Sequence, residues 1–80
     1  MRMSYDPRFN IAYIRFHERQ GDVETIKISD ELSIDLSADG MVYGLEFMNA
    51  NEQLRRNEDG KVLIINEATG ESSELPLDIE

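Results

Sequence analysis

Eighty residues without a cysteine describe one small domain with no disulfide, no thiol nucleophile and no thiolate-bound zinc or iron–sulfur centre. Eight basic residues against 17 acidic ones give a formal net charge of −9, a field that opposes nucleic acid and anionic membrane surfaces. No apolar run approaches the roughly 20 residues that span a bilayer, and MRMSYDPRFN carries no apolar signal segment, so the expectation is a soluble cytoplasmic protein. A core this small is marginal by itself, which makes oligomerisation the expected reinforcement. Charge is uneven along the chain: Arg2, Arg8, Arg15 and Arg19 outnumber Asp6 and Glu18 in the opening segment, and the rest is acidic. A basic protein partner is compatible with that pattern.

In chain order, Met3 and Tyr5 lead into the turn Asp6-Pro7, where proline pre-sets φ. Ala12-Tyr13-Ile14-Arg15-Phe16-His17 then alternates apolar with polar-tipped residues at the strand period of two. Ile26 and Ile28 alternate with Thr25 and Lys27, Leu32, Ile34 and Leu36 with Ser33 and Asp35, and Tyr43, Leu45 and Phe47 with Gly44 and Glu46. Gly21-Asp22, Ser29-Asp30 and Asp39-Gly40 supply the turns between them. Connections this short predict an antiparallel meander. Asn49 or Asn51 is positioned to cap a short helix near residues 51–56, with Arg55 and Arg56 at its C-terminal end. Asn57 to Gly60 breaks it, Lys61–Ile65 reads as a strand, Glu67 to Gly70 as a turn, and Ser72–Leu75 as a last strand ended by Pro76. The tail from Leu77 to Glu80 is expected to fray.

The expected fold is therefore mostly β, with about six or seven short strands and one short helix in a single domain. The core face is Met3, Tyr5, Ile14, Phe16, Ile26, Ile28, Ile34, Leu36, Tyr43, Leu45 and Phe47. The opposite face carries Ile11, Tyr13, Val23 and Val42, apolar enough to need cover from the C-terminal hairpin or a partner.

DLSADGMVYGLE, Asp35 to Glu46, fits the calcium-loop template D-x-[DN]-x-[DN]-G-x5-E except at Ser37. A calcium loop needs helices on both sides, whereas this segment is flanked by alternating β-branched residues. Parity adds to the argument. An even-length loop at Asp39-Gly40 sets Leu36 opposite Met41, Ile34 opposite Tyr43 and Leu32 opposite Leu45. A three-residue loop would split the apolar set between two faces. In the even register Asp35 faces Val42, and Glu46 lies ~13 Å further along. The segment is read as a β-hairpin, with Asp35, Asp39 and Glu46 left as weak cation candidates.

Tyr5-Asp6-Pro7, Ala12-Tyr13-Ile14-Arg15, a central Thr25, Ile34-Asp35-Leu36, Asp39-Gly40, Val42 and Gly44-Leu45-Glu46 together resemble the bacterial and archaeal family catalogued as domain of unknown function 2283. The likeness covers about residues 3–50. Asn10 stands where the family commonly has Asp, Ile11 where it has Ala, and Ser37 where it often has a further Asp. The resemblance implies a compact β-rich fold, no established activity, and for some members a partnership with small toxin-like proteins.

Little else carries chemistry. His17 is the sole histidine and shows no convergent nucleophile and acid. Tyr13 and Arg15 share a strand face that Asp35 and Glu46 could join. No phosphate-loop glycine pattern occurs. Neither a catalytic residue nor a cofactor is assigned. The leading expectation is an acidic, non-enzymatic, homodimeric interaction module whose face is Ile11, Tyr13, Arg15, Val42 and Gly44. A ligand- or cation-binding protein using Asp35, Asp39 and Glu46 is the first alternative, and an antitoxin-like partner of a small basic protein the second. An enzyme would need a concave pocket holding His17 beside a carboxylate.

Overall fold

The computed structural model describes residues 1–18, 21–55 and 60–77. Seven strands and one helix occur among them: β1 (Arg2–Asp6), β2 (Ile11–Arg15), β3 (Val23–Lys27), β4 (Leu32–Ser37), β5 (Val42–Phe47), α1 (Ala50–Arg55), β6 (Lys61–Ile65) and β7 (Ser72–Pro76). The first five form one antiparallel sheet in the order β1-β2-β5-β4-β3, and β6 with β7 forms a separate hairpin. The meander holds for β1–β2 and for β3–β4–β5. Between these runs, β2 pairs with β5 rather than with β3, Ile14 lying opposite Leu45, so strands β2 to β5 take a Greek-key order. The expected break at Asn57 to Asp59, and the positions Arg19, Arg56 and Asp78 to Glu80, lie outside the described residues.

Period-2 alternation sorts the sheet into two chemically distinct faces. Cross-strand partners Met3 and Ile14, Ile14 and Leu45, Ile34 and Leu45, Ile26 and Ile34, and Leu32 and Phe47 stack apolar residues on one side. Arg2 with Arg15, Ser4 with Tyr13, Tyr13 with Glu46, Ser33 with Glu46, and Thr25 with Asp35 line the other. Of the expected opposite-face residues, Ile11, Tyr13 and Val23 are on this polar side. Val42 is not, because it pairs with Leu36.

The β4–β5 hairpin differs from the expected even-length loop. Ser37 N–H donates to the Met41 carbonyl at 2.8 Å and Gly40 N–H to the Ser37 carbonyl at 2.9 Å, which closes a three-residue loop over Ala38, Asp39 and Gly40. Gly40 takes φ 86°, the left-handed conformation that ends such a loop. An odd loop by itself would send the apolar residues of β4 and β5 to opposite faces. A β-bulge restores them: the register shifts between Asp35 and Leu36, so that Leu36 pairs with Val42 but Asp35 pairs with Gly44. Ile34 then faces Leu45 and Leu32 faces Phe47. Tyr43 is the residue the bulge inserts. It leaves the expected core face and packs edge-on against His17, ring centroids 5.6 Å apart, on the polar side.

Helix α1 is capped from a distance. Asn10, at φ 55° in the β1–β2 turn, accepts Ala50 N–H on its carbonyl and Asn51 N–H on Oδ1, both at 3.0 Å. Its Nδ2 donates to Asn51 Oδ1 at 2.7 Å, and the Tyr5 hydroxyl donates to its Oδ1 at 3.2 Å. The first two helical donors, Ala50 and Asn51 N–H, are thus satisfied by Asn10. The small apolar cluster beneath joins the fully buried Ala12 and Ala50 to Tyr5, Phe47, Leu54 and Leu77.

Beyond that cluster the apolar face is open. No large side chain is fully buried among the described residues, and Met3, Phe16, Ile26 and Ile28 are 36, 42, 38 and 55% exposed. The β6–β7 hairpin is exposed along its whole length, including Val62, Leu63, Ile64, Ile65 and Leu75.

Candidate functional site

The polar face is organised around Gly44. Opposite it on β4, Asp35 accepts hydrogen bonds on both carboxylate oxygens, from the Tyr13 hydroxyl and from Thr25 Oγ1, each at 2.6 Å. Tyr13 stands on β2, so its ring must cross β5 to reach Asp35, and it crosses over Gly44. A Cβ built on Gly44 would lie 2.6 Å from Tyr13 Cζ and 2.8 Å from the Ile14 carbonyl oxygen. Only a glycine gives the ring passage. The result is a polar tie, Tyr13–Asp35–Thr25, running over four neighbouring strands.

The burial of Tyr13, and then its bond to Asp35, push the phenol well above its ordinary 10.0. A raised acid in the folded chain means that folding favours the protonated form. The stability this contributes is fully present below pH 10 and is lost as the pH climbs through the alkaline range. Urea unfolding followed upward from neutral pH is expected to show wild-type stability falling above pH 10 by more than that of Tyr13→Phe. The variant itself should start about 1 kcal/mol lower. Equal alkaline slopes for the two proteins would refute this role for Tyr13.

Of the expected interaction residues, Ile11, Tyr13, Arg15 and Gly44 share this face, and Val42 sits 40% exposed on the other. The cation candidates are placed differently from expectation. Glu46 is two residues from Gly44 on β5, which makes Asp35 and Glu46 diagonal neighbours about 7 Å apart rather than ~13 Å. Asp35 already holds two donors, and Asp39 accepts Met41 N–H at 3.2 Å within the turn. Strands flank the loop on both sides, so the segment is a hairpin. Among the described residues no three carboxylate or imidazole groups gather in a metal-binding cluster.

His17 lines a cavity of about 310 Å³ with Glu18, Ser37, Ala38, Asp39 and Met41. The cavity brings an imidazole, a hydroxyl and two carboxylates to one place, though no hydrogen bond joins His17 to any of them. A second cavity, about 200 Å³, lies on the polar face and is lined by Arg2, Ser4, Tyr13, Arg15 and Tyr43. Sequence reasoning missed Arg2, Ser4 and Tyr43 here. The first two are signalled only by β1–β2 register, and Tyr43 only by the bulge.

At the β1–β2 turn, Asp6 accepts the Arg8 guanidinium on both oxygens, at 3.0 and 2.8 Å. The hydrogen bond from Arg8 holds Asp6 below its ordinary range. Both groups face water, so this fixes the turn more than it stabilises the fold.

An antiparallel β sheet with a glycine crossing at its centre defines the class of protein: a small, mostly β domain. Residues 2–51 match the family model described as protein of unknown function (DUF2283), and the chain belongs to that family. No curated protein and no solved structure matches it. Helix α1 is cut by the end of the matched segment, and the β6–β7 hairpin lies beyond it. No helix among the described residues is long and apolar enough to cross a membrane.

Proposed function

We propose that this protein is a non-enzymatic interaction module that works as a homodimer, with the apolar sheet face of each copy covered by the other. The supporting observation is the half-open apolar face, where Met3, Phe16, Ile26 and Ile28 meet solvent above Ile14, Ile34 and Leu45. Contiguous apolar surface of that kind marks an association site. The total exposed area leaves room for a second copy as the occupant. The chain exposes 6172 Å², against the roughly 4,900 Å² expected of a folded monomer of its mass. The excess, roughly 1,200 Å², is shared between this face and the exposed β6–β7 hairpin, and a stable interface needs ~800 Å² per partner. A two-fold arrangement lets the same face serve both copies.

The acidic exterior, at net charge −9, then suits a basic protein partner and disfavours nucleic acid and membrane surfaces. The cavity that holds His17 beside Glu18 and Asp39 is the arrangement an enzyme would need, so the non-enzymatic reading rests on the open apolar face and not on His17. Sedimentation equilibrium is expected to return twice the chain mass of 9.2 kDa. A single-chain mass at every loading concentration would overturn the dimer.

A further inference from the structure

Beyond the interface on the apolar side, we propose that the cavity on the polar face binds a phosphate-type oxyanion, either free phosphate or the phosphate of a small monoester. Arg2 and Arg15 lie directly opposite each other on β1 and β2. Like charges in that position repel unless a counter-charge sits between them. The described residues give the Arg2 side chain no ion pair or hydrogen bond. They give Arg15 only Glu18, at 3.3 Å, whose side chain is 83% exposed and so easily displaced. The Arg15 side chain itself is only 27% exposed.

Tyr43 supplies an independent observation. It is 8% exposed, yet its hydroxyl has no hydrogen-bond partner among the described residues, and it lines the same cavity. No fully buried side-chain polar atom lacks a partner among the described residues, so this hydroxyl is reachable from the cavity. A tyrosine buried in its ring and open at its oxygen is a donor waiting for an acceptor. Ser4, opposite Tyr13, adds a second hydroxyl. The donors of Arg2, Arg15, Ser4 and Tyr43 stand on three strands. A tetrahedral dianion can engage donors from several directions, while a planar carboxylate is matched by one guanidinium fork. The nearby carboxylates are Glu18, Glu46 opposite Tyr13, and Asp35, and Asp35 is occupied by Tyr13 and Thr25. The pocket is on the face that the proposed dimer leaves free.

The test is a heteronuclear NMR titration of the full chain with sodium phosphate, with a simple alkyl phosphate monoester, and with sodium chloride at matched ionic strength. Saturable shifts confined to Arg2, Tyr13, Arg15 and Tyr43 are expected with one or both phosphates and not with chloride. Saturation by the monoester at a lower concentration than by inorganic phosphate would assign the natural ligand as an ester, and the reverse order would assign the free ion. Arg2→Gln, at an exposed edge-strand position, and Tyr43→Phe should each weaken binding several-fold while the rest of the spectrum stays in place. No saturable shift, or shifts that persist unchanged in Arg2→Gln and Tyr43→Phe, would overturn the proposal.

Discussion

Leu45→Asp is expected to convert the dimer to a monomer. Leu45 lies on the central strand β5, with Ile14 on one side and Ile34 on the other, so it stands in the middle of the apolar face. Burying a leucine there stabilises the interface by about 1.5–3 kcal/mol, and placing an unpaired carboxylate in its stead adds a desolvation cost of similar size or more. A two-fold interface counts the change twice. At least about 3 kcal/mol per copy raises the dissociation constant on the order of 10⁴-fold. Phe16→Ser offers a milder partner experiment, because Phe16 lies just past the end of β2 and is 42% exposed. It should weaken the dimer and leave the far-ultraviolet circular dichroism of the sheet unchanged. Sedimentation velocity on both variants reads the outcome. Dimers of wild-type affinity in both would refute the apolar face as the interface.

Gly44→Ala is expected to be the most damaging single-methyl change in the sheet. Its Cβ would meet Tyr13 Cζ at 2.6 Å and the Ile14 carbonyl oxygen at 2.8 Å. The ring can retreat only by giving up its bond to Asp35, and the carbonyl belongs to the β2–β5 ladder and cannot move freely. Overpacking costs about 1–3 kcal/mol, and the lost tyrosine–carboxylate bond about 1 kcal/mol more. Chemical unfolding should therefore place Gly44→Ala about 2–4 kcal/mol below wild type. Combining it with Tyr13→Ala, which removes the ring, should return part of that loss. The remainder reports the clash with the backbone. A Gly44→Ala protein as stable as wild type would show that the ring does not cross there.

The strands, the helix and the two sheet faces were legible because period-2 alternation is a local property of the chain. Loop length and register were not, for a specific reason. Ala38-Asp39-Gly40 forms an odd loop, and the bulge at Tyr43 cancels its effect on parity. Two compensating irregularities leave the same apolar face as one even loop, so alternation cannot tell them apart. The error moved Asp35 from Val42 to Gly44, and Tyr43 from one face to the other. A glycine within a strand marks a bulge or a close approach; here the close approach is at Gly44 and the bulge at its neighbour Tyr43. Asn10 was read as a departure from a family pattern. Its role as the cap of α1 depends on a contact across 41 positions of sequence, which no local spacing reveals. The cavity between Arg2 and Arg15 likewise needs the β1–β2 register before its two charges meet.

Isotope-filtered nuclear Overhauser spectroscopy, on an equimolar mixture of labelled and unlabelled chains, gives the most direct view of what covers the hydrophobic side of the sheet. Intermolecular cross-peaks from the methyls of Ile14, Ile34 and Leu45 are expected. Their absence in a sample whose mass is that of a dimer, with cross-peaks arising instead from Tyr13, Thr25 or Val23, would mean that the copies meet through the other side.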